Sequence, residues 1–308
     1  MMYYILHHND ADGYLAAYNV YKYLTYHDIC PTDIKFFECK YHSDFNFIKK
    51  IKENSIIYIV DFFDINLINK LKNKAKEIIV YDHHDSTIAK MKSINYPNVK
   101  IYCTNEPYVS ACKFVYSELL DNIESFPNKD RLKYINNVIS VWDTWDRDNS
   151  EISFFKEALP FKLIIESYDN PKDIYELMVT NDLDKIKQYA YKNYIKAIKR
   201  ISKNFFICNL FINNKKYKVA IVNTTERSSL LYELAVENNW IQNRHPDIIM
   251  VFNYIKKNKI AVSMYSYNKS VDVSKIALKF GGGGHKGAAG FECNRIDFID
   301  NKVIIIKE

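Results

Sequence analysis

The sequence predicts an α/β protein in two parts. The N-terminal domain carries a parallel sheet with helices on both faces, followed by a helical linker and a smaller C-terminal mixed α/β domain. The expected bounds are 1–185, 186–204 and 205–308. Three observations predict this. Short apolar runs alternate with helical periodicity through the first part, the β-α-β-α order of a parallel sheet. Ile56–Val60 is an unbroken apolar run, suited to a strand buried on both faces. After about Asn204 a second set of strands and helices begins.

The elements are read in order. Tyr3–Leu6 is a strand delivering His8-Asn9-Asp10-Ala11-Asp12-Gly13, and Tyr14–Leu24 a helix. Gly13 is expected to let the chain turn sharply behind Asp12. Ile34–Phe37 reads as a strand, Phe45–Lys52 as a helix, and Ile56–Val60 as a strand ending at Asp61. Asp64 is a candidate N-cap for a helix over Ile65–Ala75. Glu77–Tyr81 is a strand ending in Asp82-His83-His84; Ser110–Leu120 and Arg131–Val141 are helical. Asp182–Lys203 reads as one long connecting helix. Phe205–Ile212 and Lys216–Val222 form a hairpin about Asn213-Asn214, with a helix over Ser228–Asn238. Ile248–Ile255 and Lys259–Tyr265 form a second strand pair, and Val271–Phe280 is a helix running into a glycine cluster.

Composition narrows the function classes. Of 308 residues 48% are hydrophobic and 26% charged, which excludes wholesale disorder. No apolar run approaches the ~20 residues of a membrane-spanning helix, and Met1–His8 is too soon polar for a signal peptide. A cytoplasmic protein is expected. Six cysteines without a CxxC pair read as reduced thiols. The net charge of +6 suits an anionic substrate and equally a general solubility charge. Glycine is scarce, at 7 residues where ordinary usage gives about twenty. Apart from Gly13, all lie between Gly281 and Gly290.

Ligands of a parallel sheet bind beyond the carboxyl ends of its strands. His8, Asp10, Asp12, Asp61, Asp82, His83 and His84 should therefore converge on one rim. Each has a plainer reading: Asp10 as an N-cap, Asp12-Gly13 as a turn, Asp61 as a loop residue. So many carboxylates together demand cations, because like charges at ~4–6 Å repel. Mixed carboxylate and imidazole donors suit Mn²⁺, with Mg²⁺ as the alternative. Seven donors exceed one ion, so two metals are expected, the arrangement that activates water for attack at phosphorus. Gly281–Gly284 before His285 and Lys286 reads as an anion cradle, with backbone N–H groups and a following helix start turned to the ligand. The plainer reading is a C-cap or hinge.

His8-Asn9-Asp10-Ala11-Asp12-Gly13, Asp61 after its apolar strand, and Asp82-His83-His84 resemble motifs I to III of the DHH phosphoesterase family. Gly281-Gly282-Gly283-Gly284-His285-Lys286-Gly287-Ala288-Ala289-Gly290-Phe291 resembles the signature of the DHHA1 domain that follows it. The two halves stand in the family's order and cover nearly the whole chain. The resemblance implies a fourth-motif aspartate. Asp143, directly after the apolar run Val138–Trp142, is the candidate, and Asp146 the runner-up. It implies one metal on His8, Asp10 and Asp61, and another on Asp12, Asp61, His83 and Asp143. Asp61 and a nucleophilic hydroxide would bridge them. His84 would face the substrate phosphate, and Asp82 would orient His83. One departure stands out. The nano-RNase branch places its first histidine four residues before the first aspartate. Here His8 lies two before Asp10, closer to the D-x-D-x-D pattern of RecJ-like exonucleases.

The resemblance also implies an active-site cleft between the domains. Gly282, Gly283, Gly284, His285 and Lys286 would hold the substrate end distal to the cleaved bond. Arg227, ahead of a helix of the second domain, is a candidate for a second phosphate or a base, and reads equally as a solvated arginine. The implied activity is metal-dependent hydrolysis of short oligonucleotides, dinucleotides or 3′-phosphoadenosine 5′-phosphate. Two alternatives stand beside it: a polyphosphate or pyrophosphate hydrolase, and a non-catalytic nucleotide- or RNA-binding protein on the same fold. The expected partner is a short oligonucleotide or nucleotide, with no membrane and a homodimer left open.

Overall fold

The computed structural model describes residues 1–40, 44–84, 94–166, 173, 182–224 and 228–306. The chain divides into two compact units, Met1–Tyr194 and Ile195–Glu308. Strands β1 (Tyr3–His8), β2 (Ile34–Cys39), β3 (Ser55–Val60), β4 (Ala75–Asp82) and β5 (Val99–Cys103) build the first unit's sheet. Its order is β2-β1-β3-β4-β5, parallel throughout. The register pairs His7 with Val60 and Val60 with Tyr81. One step further, His8, Asp61 and Asp82 fall in a single row at the carboxyl rim.

Side chains alternate across each strand, and helices cover both faces. Tyr4 and Leu6 pack with Leu67, Ile68 and Leu71 of α2 (Ile65–Leu71). On the opposite face His7 meets Tyr14 of α1 (Ala11–Tyr26), ring centroids 5.1 Å apart. Then come α3 (Ala111–Leu119), α4 (Lys129–Asp143), a π-turn (Phe154–Ala158) and α5 (Leu159–Ile165). Helix α6 (Leu183–Ser202) spans the division between the units.

Three expectations of this unit change. The helix expected through Ala75 ends at Leu71, because Ala75 already pairs with Ser55 in the sheet. The Asn98 amide binds the carbonyls of Lys72 and Ala75, holding the intervening turn. The helix expected over Phe45–Lys52 is a 3₁₀ turn, Asn46–Lys50. Strand β5 was not anticipated; its alternating Val99-Lys100-Ile101-Tyr102-Cys103 is short and paired on one side only.

The second unit holds β6 (Phe206–Ile212), β7 (Lys215–Asn223), β8 (Ile248–Lys256), β9 (Lys259–Ser266), β10 (Gly283–Gly284), β11 (Ala288–Cys293), β12 (Arg295–Ile299) and β13 (Lys302–Ile306). They form one mixed sheet, ordered β10-β11-β9-β8-β7-β6-β13-β12. Asn213 and Asn214 turn the first hairpin with φ of 50° and 62°, a conformation asparagine tolerates. One face packs on α8 (Val273–Lys279) through Val273, Ile276 and Ala277. The other packs on α7 (Ser228–Glu237) through Leu231 and Ala235. Strands β10–β13, which begin within the glycine cluster, are not among the elements expected from the sequence.

Candidate metal centre

Asp10 is the N-cap of α1: its Oδ1 accepts from the Gly13 N–H at 3.0 Å. Its Oδ2 meets His8 Nδ1 at 2.7 Å. The capping and clustering readings are therefore both true of one carboxylate, each using one oxygen. Burial pushes the Asp10 carboxyl upward, but the His8 hydrogen bond, its charge and the Gly13 N–H outweigh this and lower it to about 2. Gly13 does not make a left-handed turn; among the described residues only Gly281 and Gly284 are positive-φ glycines. It lies within α1, where an added Cβ would stand 2.4 Å from the His8 carbonyl oxygen. Glycine is required there by the close approach of helix to strand.

Asp12 is buried, and both its oxygens are held from a distant segment. Ala111 N–H donates to Oδ2 at 2.8 Å and Cys112 N–H to Oδ1 at 2.9 Å. Asp12 thus satisfies the first orphan donors of α3 and sits at the positive end of its dipole. Asp61 is buried as well and adopts a left-handed φ of 54°. Its carboxyl is raised well above the ordinary value, first by burial, then by the charges of Asp12, Asp10, Asp143 and Asp82.

His83 closes the arrangement. Its Nε2 stands 3.6 Å from Asp12 Oδ2, 3.5 Å from Asp61 Oδ1 and 3.4 Å from Asp143 Oδ2. That nitrogen is buried and makes no hydrogen bond among the described residues. A nitrogen ringed by carboxylates just beyond hydrogen-bond range is the environment a divalent cation would satisfy. On the other side of Asp61, His8 Nδ1 lies 3.7 Å from Asp61 Oδ2. Among the described residues, the donor sets that fit a metal are His8–Asp10–Asp61, Asp12–His83–Asp143 and Asp61–His83–His84. Asp61 occurs in two of these sets, one on each side. The donors are hard oxygens and imidazoles, compatible with Mn²⁺ or Mg²⁺.

Asp143 ends α4 and faces His83; Asp146 instead accepts from the Asn149 amide at 2.7 Å. Asp82 takes a different partner from the one expected. Its Oδ1 meets His84 Nδ1 at 2.6 Å and accepts the His83 backbone N–H at 2.8 Å. The imidazole it holds is that of His84. This hydrogen bond, opposed by burial and aided by nearby carboxylates, raises the His84 imidazole to about 9. Sequence reading missed Phe62, which is fully buried and stacks near His8 at 6.3 Å. The helix expected from Ser110 is present as α3, but nothing in its local sequence marked the Ala111 and Cys112 N–H groups at its start as holding Asp12.

The glycine run departs from the expected cradle. No helix follows it. Gly281 N–H binds Leu278 O and Gly282 N–H binds Ala277 O, the two bonds of a Schellman C-cap, with Gly281 at φ 67°. Gly283 and Gly284 then pair with Gly290 and Ala289 as β10–β11. At Gly282 an added Cβ would lie 2.1 Å from Gly290 O, whereas at Gly283 it meets nothing within 4 Å. His285 and Lys286 are exposed at the hairpin end. Arg227 lies outside the described residues.

A parallel sheet whose rim gathers buried carboxylates around an orphaned imidazole nitrogen defines an α/β protein with residue groups that could hold metal ions. Family models narrow the class: the DHH family, N-terminal domain, matches residues 2–141, and the DHHA1 domain matches 209–304. The chain carries a DHH-family N-terminal domain followed by a DHHA1 domain. It is 27% identical over 298 residues to uncharacterized protein R106 of Acanthamoeba polyphaga mimivirus, covering 91% of this chain and 64% of that relative's length. Among solved structures it is similar to a pGpG-specific phosphodiesterase, PggH, from Vibrio cholerae. That match has 14% identity, TM-score 0.46, and covers 95% of this chain and 93% of the other. It is also similar to Mn²⁺-bound RecJ from Thermus thermophilus, with 13% identity and TM-score 0.44 over 94% of this chain and 49% of the other. Among the described residues no helix is long and apolar enough to cross a membrane.

Proposed function

We propose that this chain is a divalent-metal-dependent phosphoesterase acting on phosphodiester or phosphomonoester bonds of short oligonucleotides or nucleotides. The buried, unpartnered Nε2 of His83 among Asp12, Asp61 and Asp143 carries this reading. His8, Asp10 and Asp61 would hold one ion, and Asp12, Asp61, His83 and Asp143 the other, with Mn²⁺ favoured by the imidazole donors. Bound there, the pair supplies an activated water and neutralises charge developing at phosphorus.

The chain's own residues complete the chemistry. Asp10 and Asp12 present carboxylates pre-set by the Gly13, Ala111 and Cys112 N–H groups. His84, held cationic by Asp82, offers its other ring nitrogen to a phosphate oxygen. Within the second unit, the exposed His285 and Lys286 and the open backbone at Gly283 are the candidates to bind a phosphate or sugar group.

Purified protein with Mn²⁺ is expected to release mononucleotides from di- to pentanucleotides. Asp82→Ala should lower this rate by roughly 10²–10⁴-fold, the range for a displaced proton donor. Intact oligomers and dinucleotides, with Asp82→Ala indistinguishable from wild type, overturn the reading. Faster phosphate release from polyphosphate or pyrophosphate than from any nucleotide reassigns the substrate class. A well-folded protein that takes up no metal is a binding protein.

A further inference from the structure

We propose that Ser140 is a positioning residue for the second metal group, setting Asp12 and Asp143 at their spacing on either side of His83. The inference rests on the metal-dependent reading above. Ser140 is buried in α4, one turn before Asp143. Its Oγ accepts the Ser110 backbone N–H at 3.0 Å and donates to the Tyr108 carbonyl at 3.0 Å. Its own carbonyl accepts from Thr144 N–H at 3.0 Å and Thr144 Oγ1 at 2.7 Å, closing the turn that carries Asp143.

Ser110 is the N-cap residue of α3, yet its side chain does not cap the helix. The Ser110 hydroxyl meets Cys112 Sγ at 3.3 Å instead. The next two N–H groups, Ala111 and Cys112, are the ones spent on Asp12. The α3 entrance is therefore fixed to α4 by Ser140 and to α1 by Asp12. Tyr108 enters this turn in a left-handed conformation, φ 61°, with its carbonyl held by the Ser140 hydroxyl. One hydroxyl thus joins the anchorages of the two carboxylates that lie 3.6 and 3.4 Å from His83 Nε2. Groups hydrogen-bonded to metal ligands, here the Ala111 and Cys112 N–H groups beside the Ser110 N–H that Ser140 holds, typically govern affinity about 10–100-fold.

A nearby network supplies the comparison. Asn136, one turn earlier on α4, binds Asn19 at 2.8 Å, and Asn19 binds the Cys112 carbonyl at 3.0 Å. These bonds tie the same three helices together through the Cys112 carbonyl, and not through the N–H groups that hold Asp12.

The test is Mn²⁺ titration followed by the electron paramagnetic resonance signal of free Mn²⁺. Asp10→Ala, which removes a donor of the first group, isolates the second. In that background Ser140→Ala is expected to weaken Mn²⁺ binding about 10–100-fold. Ser140→Thr, which keeps the hydroxyl, should restore it. Asn136→Ala should lower the melting temperature and leave Mn²⁺ affinity unchanged. If Ser140→Ala does not fold, Ser140→Cys is read in its place, with the same weakening expected. Unchanged affinity in the Ser140 variant, or equal weakening in Asn136→Ala, overturns the inference. If wild type takes up two ions while the Ser140 variant matches it, this inference alone fails. If wild type takes up none, the phosphoesterase reading fails with it.

Discussion

Asp61 concentrates the electrostatic strain of the site in one residue. Its carboxyl is buried, faces four other carboxylates, and sits on a backbone with φ 54°, a region that disfavours most side chains. Such a residue weakens the metal-free fold and is tolerable where a cation compensates it. Asn keeps the shape, removes the charge and tolerates left-handed φ. Asp61→Asn is therefore expected to raise the stability of the chelated protein by about 1–2 kcal/mol while reducing turnover at least ~10³-fold. Thermal melts in EDTA and Mn²⁺-dependent assays check both signs; lower stability in EDTA would show that Asp61 is not strained. At this scale much was legible in advance. His8, Asp10, Asp12, Asp61 and His83 could be picked out because metal-donor types stand directly at the ends of apolar runs. The partner of Asp82 could not, since which imidazole it reaches depends on the path of the backbone after β4.

Elements carry a second set of consequences. The π-turn before α5 is stapled by Glu157, which accepts from Tyr134 Oη at 2.7 Å and Ser153 N–H at 3.0 Å, with Lys187 Nζ at 3.4 Å. Burial opposes ionisation of Glu157, but these donors and the lysine charge prevail and lower its carboxyl below the ordinary value. A carboxyl lowered by folding stabilises above its unfolded value, and loses that contribution as pH falls through the folded one. Glu157→Gln should thus melt below wild type at pH 7, with the gap closing in the acid range below the ordinary carboxylate value. A gap independent of pH would exclude the charge as its cause.

The glycine segment separates structural from recognition roles position by position. Gly281 and Gly282 are committed to the helix cap and to close packing on β11. Gly283 is not, since a Cβ there meets nothing within 4 Å. Gly283→Ala is expected to stay within about 0.5 kcal/mol of wild-type stability. A fall in kcat/KM of roughly tenfold or more would mark close backbone approach to substrate. Unchanged kinetics would restrict the glycine run to structure. A run of four glycines was visible in the sequence; its division between cap and hairpin was not, because the pairing partner β11 is set by the sheet.

For the whole molecule, metal should act on one unit. All the donors lie within Met1–Tyr194. A ligand that binds only the native state stabilises by RT ln(1 + [L]/Kd), about 2.7 kcal/mol at a hundredfold excess over Kd. Mn²⁺ is expected to slow hydrogen exchange in peptides from that unit, the α3 entrance above all, and to leave peptides from the second unit unchanged without substrate. Protection spread evenly over both would place the ion elsewhere.

The α/β class, the parallel order of the first strands and the rim position of most donors followed from the sequence alone. Each depends on local periodicity plus one topological rule, that a parallel sheet gathers its strand ends on one edge. Tertiary structure decided the rest. It brought the N–H groups of Ala111 and Cys112 to Asp12, turned Asp143 rather than Asp146 to His83, and converted the glycine run into a helix cap and a strand. These are pairings between segments far apart in the chain. They are selected by sheet register and helix packing, which hydrophobic patterning leaves free by several residues, whereas a metal donor tolerates a displacement of only tenths of an ångström.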